Sequence, residues 1–260
     1  MHVALDHPAR LHPELDAALG QRQFTLHHQP IVSLDDQSVV GAEALLRWNH
    51  PDGRVLLPAE FLSELEATGM LPAVARWTAE EACAAISVVR NETGATLWVA
   101  VNAGNRELQD PGFIDAMRAA PGRFELPQGS LVADLTDPAA AAEDRVATEA
   151  LHWLRDAGVR IALDDAGPGH DELSYLRTLP VDIFRLDPVL IGRLGDRSSA
   201  VRIRQLVHQC QELGIEVLAP AIESREQHQA ALGAGCTLGQ GLLYGPPLTA
   251  AELEARVRLV

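Results

Sequence analysis

Residues 160–165 read Arg160-Ile161-Ala162-Leu163-Asp164-Asp165, residues 182–187 read Asp182-Ile183-Phe184-Arg185-Leu186-Asp187, and residues 216–220 read Glu216-Val217-Leu218-Ala219-Pro220. Each is a short, largely apolar run that closes on an acid or a proline. Between the last two lies Arg197–Leu213, with helical spacing of its apolar residues. Strands that alternate with helices imply parallel pairing, because parallel neighbours need a crossover connection. The same alternation extends in both directions. Further strand candidates are Phe24–Leu34, Ser38–Trp48, Thr96–Asn102, Ser130–Thr136 and Thr237–Tyr244; helical spacing recurs in Pro58–Thr68, Val74–Val89, Asp144–Ala157 and Arg225–Leu232. The first two strands are close enough to form an antiparallel hairpin across Asp35-Asp36-Gln37. Eight strands in this order predict an α/β fold, a modified TIM (β/α)8 barrel with one antiparallel strand near the N-terminus. An open doubly wound sheet is the competing arrangement. With no linker, repeat or low-complexity segment, residues 1–260 read as one barrel domain. Pro138–Ala142 and Gly122–Gly129 read as loops.

The chain has 260 residues, 21 Lys+Arg against 36 Asp+Glu, and a formal charge of −15. Its apolar fraction of 47% and charged fraction of 22% exclude a disordered or fibrous chain. The negative charge argues against a nucleic-acid polymer and against anionic lipid as partners. It leaves room for a small anionic ligand where a bound cation reverses the local field. Cys83, Cys210 and Cys236 are odd in number and widely spaced, which suggests reduced, buried thiols rather than a disulfide framework or a zinc site. No apolar run approaches the roughly 20 residues of a membrane helix, and Met1–His7 lacks a signal-peptide pattern. The expected location is the cytoplasm. The chain could still be one domain of a longer protein.

Chemistry in such a barrel sits at the C-terminal strand ends. There the sequence places Glu43 and Arg47, Asn102, Asp134, the pair Asp164-Asp165, Arg185 with Asp187, Pro220 followed by Glu223, and Gln240. Glu43 and Arg47 are four apart and share a face of their strand. Carboxylates at positions that favour apolar residues are costly unless paired or metal-bound. An oxygen-rich set of Glu, Asn and Asp suits hard cations such as Mg²⁺, Mn²⁺ or Ca²⁺. Two such ions suit in-line displacement at phosphorus. Taken singly, each residue also fits a strand-end cap or an ion pair.

These residues lie in an ordered series of motifs: Gln29-Pro30-Ile31-Val32, Gly41-Ala42-Glu43-Ala44-Leu45-Leu46-Arg47-Trp48, His50-Pro51-Asp52-Gly53, Pro58-Ala59-Glu60-Phe61, Val101-Asn102, Leu163-Asp164-Asp165, Leu179-Pro180-Val181-Asp182, Gly235-Cys236 and Gln240-Gly241. In this series the chain resembles the EAL domain, the bacterial cyclic di-GMP phosphodiesterase family, from about residue 13 to residue 260. The resemblance implies the family's modified TIM barrel. It also implies two Mg²⁺ or Mn²⁺ ions under one phosphodiester of cyclic di-GMP, and a water that opens the ring to linear pGpG. The implied metal ligands are Glu43, Asn102, Asp134, Asp164 and Asp165. The implied ligand-binding residues are Arg47, Leu45, Asp187 and Gln240, with Arg47 on a phosphate and Gln240 near the attacking water.

Four departures from the family pattern carry weight. The family's Glu-Gly-Val-Glu is Pro220-Ala221-Ile222-Glu223 here, so the proposed general base becomes Pro220. Loss of a general base costs about 10²–10⁴-fold in rate. The family's lysine is Arg185, a planar fork instead of a compact ammonium. The family's glutamate is Asp134, shorter by roughly 1.5 Å. The loop Asp164–Leu173, which in the family couples the metal site to a dimer interface, here contains Pro168, His170, Asp171 and Glu172 and lacks the family's aromatic and hydroxyl residues. The expected protein is a degenerate EAL domain, inactive or very weak as an enzyme, that acts as a cyclic di-GMP receptor. The alternatives are a protein-interaction module that binds no nucleotide, with a protein partner or as a homodimer, and a weak Mg²⁺- or Mn²⁺-dependent phosphodiesterase.

Overall fold

The computed structural model describes residues 12–166, 176, 178–193 and 197–259. Strands β1 (Phe24–Ser33) and β2 (Val39–Asn49) form the N-terminal hairpin. Its turn is set by Gln37, at φ 61°, and by Asp36, whose Oδ1 accepts from the Ser38 amide at 3.0 Å and the Ser38 hydroxyl at 2.7 Å. A two-residue strand β3 (Val55–Leu56), missing from the sequence reading, pairs with the end of β2. Then come β4 (Trp98–Ala103), β5 (Leu131–Leu135), β6 (Arg160–Ala166), β7 (Ile183–Leu186), β8 (Glu216–Ala219) and β9 (Leu238–Gln240).

Neighbours run β1-β9-β8-β7-β6-β5-β4-β2, and β1 pairs back with β2, so eight strands close into a barrel. Strand β1 is antiparallel to both its neighbours, and every other barrel pairing is parallel. That is the expected modified barrel.

The helices are α1 (His12–Gly20), α2 (Pro58–Thr68), α3 (Leu71–Thr93), α4 (Asn105–Leu108), α5 (Pro111–Arg123), α6 (Pro138–Glu143), α7 (Arg145–Asp156), α8 (Pro188–Gly192), α9 (Arg197–Glu212), α10 (Arg225–Ala234) and α11 (Ala250–Val257). Two loop expectations need correction. Pro138–Ala142 is helical, because Asp137 caps it by accepting from the Ala140 amide at 3.0 Å and Pro138 sits in the first turn, where it needs no donor. Gly122 lies in α5, which continues through Pro121 to Arg123. All three cysteines are buried and free, as expected, and burial pushes each thiol up to about 12.

Three apolar layers hold the barrel. The largest joins strands to helices and includes Phe113, Met117, Leu151, Phe184 and Ile203, all fully buried. A second packs Phe24, Trp48 and Phe61 under α2 at ring separations of 5.6–6.1 Å. The third is the plug inside the barrel. Each large side chain so buried contributes roughly 1.5–3 kcal/mol. Gly41 has a steric reason: a Cβ there would lie 2.4 Å from the Trp98 indole.

Candidate functional site

The plug sets the site. It is built from Ala100 on β4, Val132 on β5, Ala162 on β6, Ile183 on β7, Leu218 on β8 and Leu238 on β9, with Ile31 on β1. Side chains alternate along a strand, so the next inward position is two residues on. Those positions are Asn102, Asp134, Asp164, Arg185, Pro220 and Gln240. Strand β1 runs the other way, so its position is Gln29, whose register partner is Glu43 on β2. An apolar floor is therefore followed by a polar layer at the C-terminal end of the barrel, broken once, at Pro220.

Arg185 is the hub of that layer. Its Nη1 donates to Asp134 Oδ2 at 2.9 Å and Glu43 Oε2 at 3.2 Å, its Nε lies 2.9 Å from Asp164 Oδ1, and its Nη2 reaches Glu43 Oε2 at 3.3 Å and Gln240 Oε1 at 3.2 Å. Gln240 Nε2 donates to Glu43 Oε2 at 2.9 Å, with Gln29 Oε1 behind it at 3.5 Å. Strand register explains the geometry: β6 bulges between Leu163 and Ala166, so Asp164 and Asp165 together oppose Arg185 on β7. Bulges of this kind re-aim side chains beside functional sites.

Burial alone would lower the Arg185 pKa, but Asp134, Glu43 and Asp164 hold it above the ordinary range, so the guanidinium stays charged. Asp134 is 0% exposed. Burial pushes its carboxyl up, Glu43 and Asp164 push the same way, and Arg185 opposes them. Its Oδ1 is buried without a hydrogen-bond partner among the described residues.

Arg47 is buried, and its one side-chain hydrogen bond among the described residues runs from Nη1 to the Leu46 carbonyl at 2.8 Å. Burial lowers its pKa and Glu43 raises it. Two cavities flank Glu43. The larger, of about 480 Å³, is lined by Leu45, Asn102 and Asp164 among others; the smaller, of about 280 Å³, is bounded by Gln29, Arg185, Pro220, Glu223 and Gln240.

Of the expected metal ligands, the structure brings Glu43, Asp134 and Asp164 together, but around Arg185. Asn102 is exposed at the larger cavity and its side chain makes no hydrogen bond among the described residues. The Asp165 side chain and residues 167–175, including Pro168, His170, Asp171 and Glu172, lie outside the described residues. Among the described residues no three acidic, imidazole or thiol groups are placed to hold an ion. The set as arranged does not fit Mg²⁺ or Mn²⁺, because each of the three carboxylates gives an oxygen to the guanidinium and Asp134 has no exposed surface.

Leu45 lines the larger cavity. Asp187 does not join the cluster: its Oδ1 accepts from the Val189 amide at 2.7 Å and caps α8. Pro220 is buried on the wall of the smaller cavity.

Sequence reasoning missed two residues. Gln29 opens the motif series but was given no role there; its place in the layer follows from its cross-strand register with Glu43. Glu107 is 8% exposed at the larger cavity, its carboxyl raised by burial; it follows Asn102 by five residues, past the end of β4, and carried no strand signal.

The EAL domain family model matches residues 12–247. The chain belongs to the EAL domain family. It is 31% identical over 245 residues to the bifunctional diguanylate cyclase/cyclic di-GMP phosphodiesterase MucR of Pseudomonas aeruginosa, covering 94% of this chain and 36% of MucR. It is 32% identical over 250 residues to the cyclic di-GMP phosphodiesterase NbdA of the same organism, covering 96% of this chain and 32% of NbdA. The chain thus spans about a third of the length of these relatives. Among solved structures, the MucR phosphodiesterase in complex with c-di-GMP superposes with a TM-score of 0.85 at 31% identity, covering 94% of this chain and 99% of that one. An EAL domain of Xanthomonas citri FimX gives a TM-score of 0.85 at 23% identity, covering 93% of this chain and 94% of that one, a likeness of fold.

Proposed function

We propose that this EAL domain is a degenerate member of its family, a cyclic di-GMP receptor that does not turn its ligand over at a useful rate. The observation that carries the reading is Pro220. It interrupts an otherwise polar layer at the strand end where active relatives are expected to place a general base, and its side chain can neither accept a proton nor bind a metal. Binding needs less than catalysis does. Arg47 has guanidinium donors left for a phosphate, where charge-assisted hydrogen bonds are strong. The two cavities on either side of Glu43 offer separate lobes for a two-base ligand. Relatives named as cyclic di-GMP phosphodiesterases, and the MucR complex with c-di-GMP, support the choice of ligand.

The test is calorimetric titration with cyclic di-GMP in Mg²⁺ and again in EDTA, with the recovered ligand checked for pGpG. Saturable binding with intact ligand is expected, and R47A is expected to abolish it while the melting temperature holds. Conversion to pGpG at a rate comparable with MucR defeats the receptor reading.

A second reading, a protein-interaction module, is favoured by α7, where Val146 and Trp153 are 50% and 58% exposed and seven residues apart on one helix face. No heat in either buffer, with an unshifted melting temperature, would favour it.

A further inference from the structure

We propose that Arg185 is the resident cation of this barrel: its guanidinium occupies the position at which Glu43, Asp134 and Asp164 would otherwise share a divalent ion. The proposal deepens the receptor reading and rests on it only for the identity of the ligand.

Arg185 projects from β7 into the polar layer and is 7% exposed. Three of its nitrogens face three carboxylates from three other strands at 2.9–3.3 Å: β2 through Glu43, β5 through Asp134 and β6 through Asp164. A planar guanidinium presents five donors in fixed directions, which suits it to bridge several carboxylates at once. Gln240 closes the shell, accepting from Arg185 and donating to Glu43.

Removing one partner of such a buried charge cluster is far more costly than leaving it intact, because the remaining charges are left uncompensated. A divalent ion that entered would have to displace the guanidinium and leave it buried beside a second cation. Repulsion opposes that exchange, and so does the lack of any other carboxylate among the described contacts of Arg185. The consequence is a mouth whose charge is set by the chain itself. Anionic ligand binding is then independent of divalent metal, and chemistry that needs a metal-bound water has no ion to supply it.

The experiment is Mn²⁺ titration without nucleotide, followed by electron paramagnetic resonance of the free ion, on wild type, D134N, D164N and R185M. The proposal expects wild type to leave the Mn²⁺ signal that of the free ion, and its melting temperature to be equal in Mg²⁺ and EDTA. R185M, which keeps an unbranched apolar stem but lacks the guanidinium and its charge, is expected to take up Mn²⁺ at a site lost again in R185M/D164N. A wild-type Mn²⁺ site that disappears in D134N and D164N overturns the proposal, because the carboxylates then release the guanidinium to hold a metal. A wild-type site retained in both variants lies outside the cluster, and the proposal then stands only if R185M gains a further site that R185M/D164N loses. Folded R185M that binds no Mn²⁺ also overturns it. If R185M does not fold, the wild-type and aspartate variants decide alone. The readout needs no cyclic di-GMP, so failure here and failure of the receptor reading are distinct results.

Discussion

Ala221 adopts φ 53°, a left-handed conformation, between the buried Pro220 and the fully buried Ile222. The neighbouring chain is as tight: a Cβ on Gly241, at φ 153°, would lie 2.2 Å from the Ile222 carbonyl oxygen. The left-handed penalty for a non-glycine residue is roughly 1–2 kcal/mol, and the extra chain entropy glycine surrenders is roughly 0.5–1 kcal/mol. Ala221→Gly is therefore expected to raise stability by roughly 0.5–1 kcal/mol, the difference of those two effects. Urea denaturation checks it; a lower midpoint at unchanged m would contradict the strain argument. At this scale the sequence marked candidate residues and left open what they touch. Arg185 was legible as a change of cation type, yet nothing in its own segment told that Glu43, 142 positions away, would accept its hydrogen bonds. Asp187, expected as a ligand contact, caps α8 through the Val189 amide, a role its place before Pro188 also suits.

Among the elements, α2 shows what local signals do well. Pro58 and Glu60 mark its first turn and Gly69, at φ 74°, its end, so the expected and observed bounds coincide. Helix α6 shows the reverse, since six residues are too few to display a period and only the cap at Asp137 defines it. Helix α5 depends on its cap too. Asp110 Oδ1 accepts from the Phe113 amide at 2.7 Å and from Arg76 Nη1 at 2.9 Å, holding the fully buried Phe113 against the core. Asp110→Ala is expected to cost roughly 1–2 kcal/mol, seen as a lower denaturant midpoint, with Asp110→Asn recovering most of the loss. Trp153 is 58% exposed, because α7 carries it on the flank of the stripe formed by the buried Ala147, Ala150, Leu151 and Leu154.

For the whole molecule, His28 links the barrel to its C-terminal segment. Its backbone exchanges hydrogen bonds with Leu248 at 2.6 and 2.9 Å, and its ring is buried, with no side-chain hydrogen bond within normal geometry among the described residues. Burial lowers its pKa from 6.5 to about 4, and the charge of His27 acts in the same direction. The fold thus favours the neutral ring: the contribution is complete above pH 6.5 and is lost as pH falls through 4. Each pKa unit corresponds to about 1.4 kcal/mol, so the loss is roughly 3 kcal/mol. Stability measured by urea denaturation is expected to fall between pH 6.5 and 4 in wild type and to stay flatter there in His28→Leu; equal slopes would contradict this role. No helix among the described residues is long and apolar enough to cross a membrane. The sequence by itself determined the barrel, its single antiparallel strand, and the polar layer at its mouth. Alternation and period, which are local properties of the chain, left the barrel and an open sheet as alternatives, and the ordered motif series selected the barrel. Only the tertiary structure decided that three carboxylates from three strands meet on one guanidinium. Barrel closure and the β6 bulge set those distances, and neither is encoded within any one segment.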